Sequence, residues 1–390
     1  MSVVSYTLRK CTKCLKCIKV CPTGAMSMRD SRVQIDSEKC INCGACIDAC
    51  NHQGLQAKGS TLVDIENYDY TVALVPTAVF GDCASLSEVQ TLFAAIRKLG
   101  FDEVIDLSKY DGRLYDEHSR FLEVDNKRTR LISSFCPVIN KLIENHYPML
   151  FSNMIPFEDV AQLAAKRVRN EKTDKGNVGI FLLCECIAKL PFARYPYGNK
   201  NTEIDHAVSL ADIFPDIRKN RDEQKDEVRI NANGLRRANT QLFAGNRNQR
   251  NCVVADGLTK IENALDLLEF GQIKNGEYFH LTNCINGCIG GNLLWGNPFD
   301  KDVNARKLIL EADAEAVNLT SQELYSEVKS MKMPDSRTSL EKLEEFAALN
   351  KQLEHLPGFD CGACGYPSCR AMAEEIVKGE KEIADCKLLR

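Results

Sequence analysis

The sequence contains no run of 18 apolar residues, and its opening MSVVSYTLRK has no apolar stretch behind its charges, so it offers neither a membrane span nor a secretory signal. Basic charge is not in excess. The formal net charge is −4, which denies the chain as a whole the footprint that phosphate backbones require and excludes nucleic acid as the expected partner. Histidine is scarce, at six, and no glycine-rich strand-to-helix phosphate loop occurs, which excludes a nicotinamide or flavin site in this chain. Disorder is excluded too. With 44% hydrophobic and 27% charged residues, 390 residues bury a real core and divide into two or three domains. The expected location is cytoplasmic.

What is abundant is cysteine. There are 19, an odd number, in a chain without an export signal, where a reducing compartment disfavours structural disulfides. Metal or cluster ligation is the expected use, and spacing decides between them. Cys11, Cys14, Cys17 and Cys21, then Cys40, Cys43, Cys46 and Cys50, write C-x2-C-x2-C-x3-C twice, and Pro22 follows the first run. This is the bacterial pattern for two [4Fe–4S] clusters, in which the last cysteine of each run serves the other cluster. Cys11, Cys14, Cys17 and Cys50 are therefore expected to hold one cluster, and Cys40, Cys43, Cys46 and Cys21 the other. The second run has Asn51 where proline is usual, which removes no ligand. Tetrahedral zinc is the alternative, but it favours paired C-x2-C units across a longer loop. Residues 1–60 resemble a dicluster bacterial-type ferredoxin.

A third block, Cys361, Cys364, Cys369 and Cys386, reads C-x2-C-x4-C-x16-C. Gly362, Gly365 and Pro367 provide a tight backbone whose amides approach sulfur. From Ser368 the sequence reads as a helix, which places Cys369 near its positive end. The spacing resembles the small cluster domain of Rnf-type electron-transport subunits and several anaerobic redox enzymes; a zinc knuckle is the alternative.

Between these ends, short β-rich runs alternate with amphipathic stretches, as in layered α/β folds. Strands are expected at 70–80, 177–187 and 251–257, and helices at 85–100, between a serine and Gly100, and at 260–273. A parallel sheet then places ligands at strand ends. Cys136 in SSFCPVIN, Cys186 in LLCECIAK, and Cys284 and Cys288 in TNCINGCIGG lie at such ends. With LGFDEVIDLS, HYPMLFSNMIPFEDVAQ and DHAVSLADIF, these phrases resemble the catalytic domain of [FeFe] hydrogenases. The resemblance implies that Cys136, Cys186, Cys284 and Cys288 hold a [4Fe–4S] cluster, that Cys288 also bridges to a diiron subcluster, and that Lys189 hydrogen-bonds one of its cyanides.

The same comparison reveals departures. Phe135 stands where active hydrogenases carry the proton-shuttle cysteine, and a phenyl ring neither donates nor accepts a proton. Phe192 replaces an acid, Thr282 a methionine, and the glycine-rich tail reads GGN at 290–292. Glu117 and Glu123 lie near the region of the expected acidic relay. The remaining cysteines, Cys83, Cys184 and Cys252, are expected to be small buried apolar residues, with Cys184 facing away from Cys186.

The run from Ile217 to Arg250 holds nine Lys or Arg against four Asp or Glu and reads as solvated surface or a docking face for an acidic redox partner. Residues 331–358, with Pro334 as a breaker and Ser339 before an amphipathic helix, read as a connection. The expected organisation is a 2[4Fe–4S] ferredoxin fold over 1–60 and a two-lobed α/β [FeFe]-hydrogenase-like domain over 68–330. A linker helix over 331–356 and a small, mostly helical iron–sulfur domain over 357–390 complete it. The expected role is iron–sulfur electron transfer, with ferredoxin or flavin- or NAD-bearing subunits as redox partners in a complex or homo-oligomer. The leading expectation is a hydrogen-sensing or slowly hydrogen-converting protein of the sensory type with four [4Fe–4S] clusters and a diiron subcluster. The alternative is an electron conduit whose central domain holds only a [4Fe–4S] cluster.

Overall fold

The computed structural model describes residues 2–124, 130–194, 201–245, 251–274, 277–326 and 339–389, without the side chains at 119, 121–124, 339 and 342. Pro334 and the side chain of Glu123 lie outside them. Two compact units result, one of Met1–Lys58 with Lys332–Arg390 and one of Gly59–Met331.

In the first unit, β1 (Val4–Tyr6) and β4 (Leu55–Ala57) pair antiparallel, as do β2 (Met26–Arg29) and β3 (Arg32–Ile35). Each cysteine run ends in a single helical turn, Lys16–Lys19 and Ala45–Asp48. The duplication extends to the backbone: Lys13 and Leu15 in the first loop, and Asn42 and Gly44 in the second, all have positive φ. Left-handed residues between ligands turn successive amides inward, which is how a short loop surrounds an anionic group. Ile18, Met26, Val33 and Leu55 fill a small core between the loops.

The C-terminal part of this unit contributes the helices Ser339–Glu354 and Cys369–Val377. Ser368 caps the second, accepting from the Ala371 amide at 3.1 Å, so Cys369 opens the helix as its sequence implied. The cysteine loop then extends the ferredoxin hairpin, with the Met28 amide donating to the Gly365 carbonyl at 2.8 Å. Gly365 is obligatory there: its φ is +93°, and a Cβ would sit 2.5 Å from the Met28 oxygen.

The second unit holds two parallel sheets. In one, β5 (Tyr70–Val75), β6 (Glu103–Asp106), β8 (Val178–Cys184) and β9 (His206–Ser209) run in the order β6-β5-β8-β9; in the other, β7 (Leu131–Ile132), β10 (Cys252–Asp256) and β11 (Tyr278–Thr282) run β10-β11-β7. Strand β8 is buried throughout, as a parallel strand covered on both faces must be. Phe181, Leu183 and Val75 pack with Val89, Leu92, Phe93 and Ile96 from the helix Leu86–Arg97.

Three boundaries differ from expectation, one being the strand expected at 177–187, which stops at Cys184 before the 3₁₀ turns Ile187–Ala193. The first strand stops at Val75, because Pro76 withholds a ladder donor and residues Thr77–Asp82 coil into 3₁₀ turns. The second helix is Leu258–Glu269 and ends at the Gly271 turn. The basic run after Ile217 is not wholly surface either: its helix Ala232–Ala238 buries Leu235 and Arg237.

Candidate iron–sulfur sites

Cys11, Cys14, Cys17 and Cys50 line one open hollow with Lys10, Lys13, Lys16 and His52. Burial pushes the Cys17 thiol up to about 11, with the thiols of Cys11, Cys14 and Cys50 adding to it. Burial opposes the charge of Cys50 as well, but the amides of Gly54, His52, Leu55 and Gln53 outweigh it and hold that thiol below the usual range. Gly54 N–H approaches its sulfur at 3.3 Å. In the second set burial raises Cys46, and Cys43, Cys21 and Cys40 are the principal charges it meets. Cys364 is raised by burial, with Cys386 and Cys361 within electrostatic reach, and the Cys369 amide donates to Asp360 at 2.6 Å.

The central set is assembled from both sheets of the second unit. Cys136 follows β7 and caps the helix Pro137–His146; burial raises its thiol, while amides of Asn283, Ile139 and Val138 favour the thiolate. Cys186 follows β8, and Cys284 and Cys288 follow β11. Cys186 feels Cys284 and Cys288, and Cys288 feels Cys136 and Cys284, so the four thiols share one electrostatic neighbourhood. The glycine tail fixes this convergence: a Cβ on Gly291 would meet the Glu185 carbonyl at 2.4 Å, and Asn292 Oδ1 accepts from the Ile187 amide at 3.2 Å.

None of the 19 cysteines forms a disulfide. Among the described residues no three His, Cys, Asp or Glu side chains converge tightly enough to hold a single metal ion, the arrangement that tetrahedral zinc would use. Cys83 and Cys184 are fully buried, whereas Cys252 is half-buried against Tyr115, Leu131 and Phe243. Glu117 is buried and taken up by Arg113 at 3.0 Å.

One residue escapes a sequence reading. Glu185, 1% exposed, places Oε1 2.7 Å from Lys189 Nζ, and its Oε2 has no hydrogen-bond partner among the described residues. Burial alone would strip the ammonium of its proton, but Glu185, Asp159, Cys288 and Cys186 hold Lys189 well above its ordinary range. The chain bends after β8 and enters 3₁₀ turns at Ile187–Ala193, which brings Lys189 back onto Glu185. Glu185 also adds to the burial that raises Cys186 and Cys288.

Phe135 is held by two neighbours. The Arg237 guanidinium lies 4.2 Å from its ring centre, and the His280 ring stacks on it at 5.6 Å. Arg237 is in turn ion-paired with Asp111, which accepts from Thr77 Oγ1 at 2.6 Å. A small hollow beside Phe135 is lined by His118, Ser133, Arg237 and His280. Burial and Arg237 push His118 down to about 3, and neither of its ring nitrogens has a hydrogen-bond partner among the described residues.

Among the described residues no helix is long and apolar enough to cross a membrane. Against known proteins, the chain is 42% identical over 41 residues to an uncharacterized protein of Methanocaldococcus jannaschii, covering 10% of this chain and 18% of that one. It is 52% identical over 31 residues to one subunit of the ion-translocating oxidoreductase complex of Cereibacter sphaeroides, 8% of this chain and 16% of that one. The chain thus spans less than a fifth of the length of these curated relatives. A solved variant of an [FeFe]-hydrogenase from Chlamydomonas reinhardtii shares 13% identity over 69% of this chain and 98% of that one, at TM-score 0.49. A structure determined in connection with oxygen inactivation of [FeFe]-hydrogenase matches with the same identity and coverage at TM-score 0.48. Family models match three segments: a 4Fe-4S dicluster domain over residues 3–51, the iron only hydrogenase large subunit, C-terminal domain, over 71–221, and an Fe-S cluster model over 356–388. The hydrogenase match ends before Cys284 and Cys288.

Taken with the thiol sets, the three family matches describe an iron–sulfur protein. Over residues 71–221 the chain is similar to the iron only hydrogenase large subunit, and it carries an N-terminal 4Fe–4S dicluster domain and a small C-terminal Fe–S domain.

Proposed function

We propose that the chain is an electron conduit rather than a hydrogen-converting catalyst. In this reading Cys11, Cys14, Cys17 and Cys50, Cys40, Cys43, Cys46 and Cys21, Cys361, Cys364, Cys369 and Cys386, and Cys136, Cys186, Cys284 and Cys288 each hold one [4Fe–4S] cluster. Such clusters, when bound, supply one-electron storage tuned by hydrogen bonds and burial. Four thiolates with nearby amides fit that group at each set.

The residues around the central set do not fit an additional diiron subcluster. The observation that carries this reading is the Glu185–Lys189 pair. The resemblance assigns Lys189 to an anionic cyanide, and a lysine available for that role would present an uncompensated ammonium. Here a buried carboxylate has taken its place, with a second oxygen left over, so a further anion would meet repulsion in a poorly screened interior. Phe135, in contact with Arg237 and His280, offers no proton route beside it, and the imidazoles of His118 and His280, both depressed by burial, carry no extra proton at neutral pH.

Lys189 retained beside Cys288 is what supports the second reading, hydrogen sensing. Metal analysis after anaerobic maturation with the diiron-inserting machinery separates the two. The conduit reading requires about 16 iron and 16 inorganic sulfide atoms per chain, four of each per cubane, whereas iron in excess of sulfide supports sensing. Similarity to a subunit of an ion-translocating oxidoreductase complex supports work within a larger redox assembly, with a flavin- or nicotinamide-bearing partner as source or sink.

A further inference from the structure

The first 29 residues carry six Lys or Arg and no Asp or Glu, although the chain as a whole is acidic. Four of these, Arg9, Lys10, Lys13 and Lys16, are exposed and lie within five residues of Cys14, itself the exposed thiol of its set. Among the described residues none of the four takes part in an ion pair, so their charge is not spent within the protein. Lys10, Lys13 and Lys16 line the hollow at whose wall Cys11, Cys14, Cys17 and Cys50 stand. Leu8, 46% exposed, adds an apolar contact at the rim.

The other thiol set of the same fold is covered. Pro367 packs against Gly24, Gly365 is bonded to Met28, and Lys39, next to Cys40, pairs with Glu374 at 3.3 Å. The C-terminal module therefore occupies the flank of Cys21 and Cys40 and leaves the flank of Cys14 open. In the basic run at 217–245, by contrast, Arg237 is buried on Asp111, and Arg221 bonds Thr91 and the Glu88 carbonyl.

We propose that Arg9, Lys10, Lys13 and Lys16 form the docking surface for an acidic electron-transfer protein, which approaches the chain at Cys14. This rests on the reading that Cys11, Cys14, Cys17 and Cys50 hold a cluster. Uncompensated like charge around a redox site steers a complementary partner and makes its association fall with ionic strength. An anionic membrane would also meet lysines, but it gives no reason for the charges to ring the exposed thiol of the set.

The test uses the full chain, reconstituted anaerobically, and a dicluster ferredoxin of net negative charge as probe. Affinity is measured at low and physiological salt for the wild type, K10E/K13E/K16E, the milder K10Q/K13Q/K16Q, and the control K219E/K225E. The surface predicts a loss of at least about tenfold for charge reversal, a smaller loss for neutralisation, and a change under about twofold for the control. It is overturned if the first two variants bind as the wild type does, if the control loses as much, or if the wild type prefers phosphatidylserine vesicles to the ferredoxin. Visible cluster absorption is recorded on every sample. Its absence from the wild type sinks the conduit reading, whereas full absorption with salt-independent binding sinks only this surface.

Discussion

Arg237 lies over the face of Phe135, 4.2 Å from the ring centre, and Asp111 holds the guanidinium there. The position that would carry a proton-shuttle thiol is thus structural. F135C removes a cation–π contact and the stack on His280, which we expect to cost about 2 kcal/mol, less than full truncation of a buried Phe. It restores no hydrogen evolution from reduced viologen, since Glu185 still occupies Lys189. A lowered melting temperature with unchanged background activity is the expected pair of results; rapid evolution contradicts the account.

Glu185 and Lys189 form a buried pair, and removing one partner strands the other. E185Q is expected to destabilise by about 3 kcal/mol, at the low end for such a break because Asp159 remains near the ammonium. The double variant E185Q/K189M removes both charges and is expected to recover most of that loss. Denaturant midpoints of the two variants check the order; equal losses would mean that the pair is not coupled.

His118 gives a pH dependence whose sign is fixed. Burial and the Arg237 charge push its folded pKa down to about 3, so the neutral form belongs to the folded state and the unfolded chain takes the proton first. Its contribution is fully present above an unfolded pKa of about 6.5 and is lost as pH falls toward 3. Between about pH 7 and 5 we expect stability to fall, and H118F to flatten that slope by roughly one proton, about 1.4 kcal/mol per pH unit where the difference is complete. His280, depressed by burial and the same arginine, acts in the same direction and keeps the remaining slope. Guanidinium midpoints across that range make the comparison, and identical slopes would contradict it.

Gly365 joins the C-terminal loop to the ferredoxin hairpin at positive φ with no room for a methyl group. G365A is expected to break the Met28 bond and expose the helix Cys369–Val377 to proteolysis, while the strand pairing of β1 and β4 is kept. Limited digestion followed by mass spectrometry reads this; an unchanged fragment pattern would show that the loop docks by other contacts.

Much of this is legible in sequence because ligand spacing is covalent. Cysteines three residues apart must curl around something compact, and the duplicated run with its remote fourth cysteine already pairs Cys21 and Cys50 with the opposite sets. The left-handed residues Lys13, Leu15 and Asn42 are not legible, because non-glycine side chains disfavour that conformation and only the surrounding loop imposes it. Strand β5 reads too long, since an apolar run looks the same in a strand and in buried 3₁₀ turns. Arg237 reads as surface charge because composition cannot show that Asp111 and Phe135, far earlier in the chain, wait for it. Glu185 is overshadowed by the cysteine beside it, although its spacing from Lys189 is in plain view.

Infrared spectroscopy of the protein after anaerobic maturation with the diiron-inserting machinery tests the central claim most directly, because iron-bound carbon monoxide and cyanide absorb where protein does not. With Lys189 already neutralised by Glu185, the spectrum should be blank in that window for the wild type. Carbonyl and cyanide bands at stoichiometric intensity would show that the site accepts the diiron group and would contradict the conduit account.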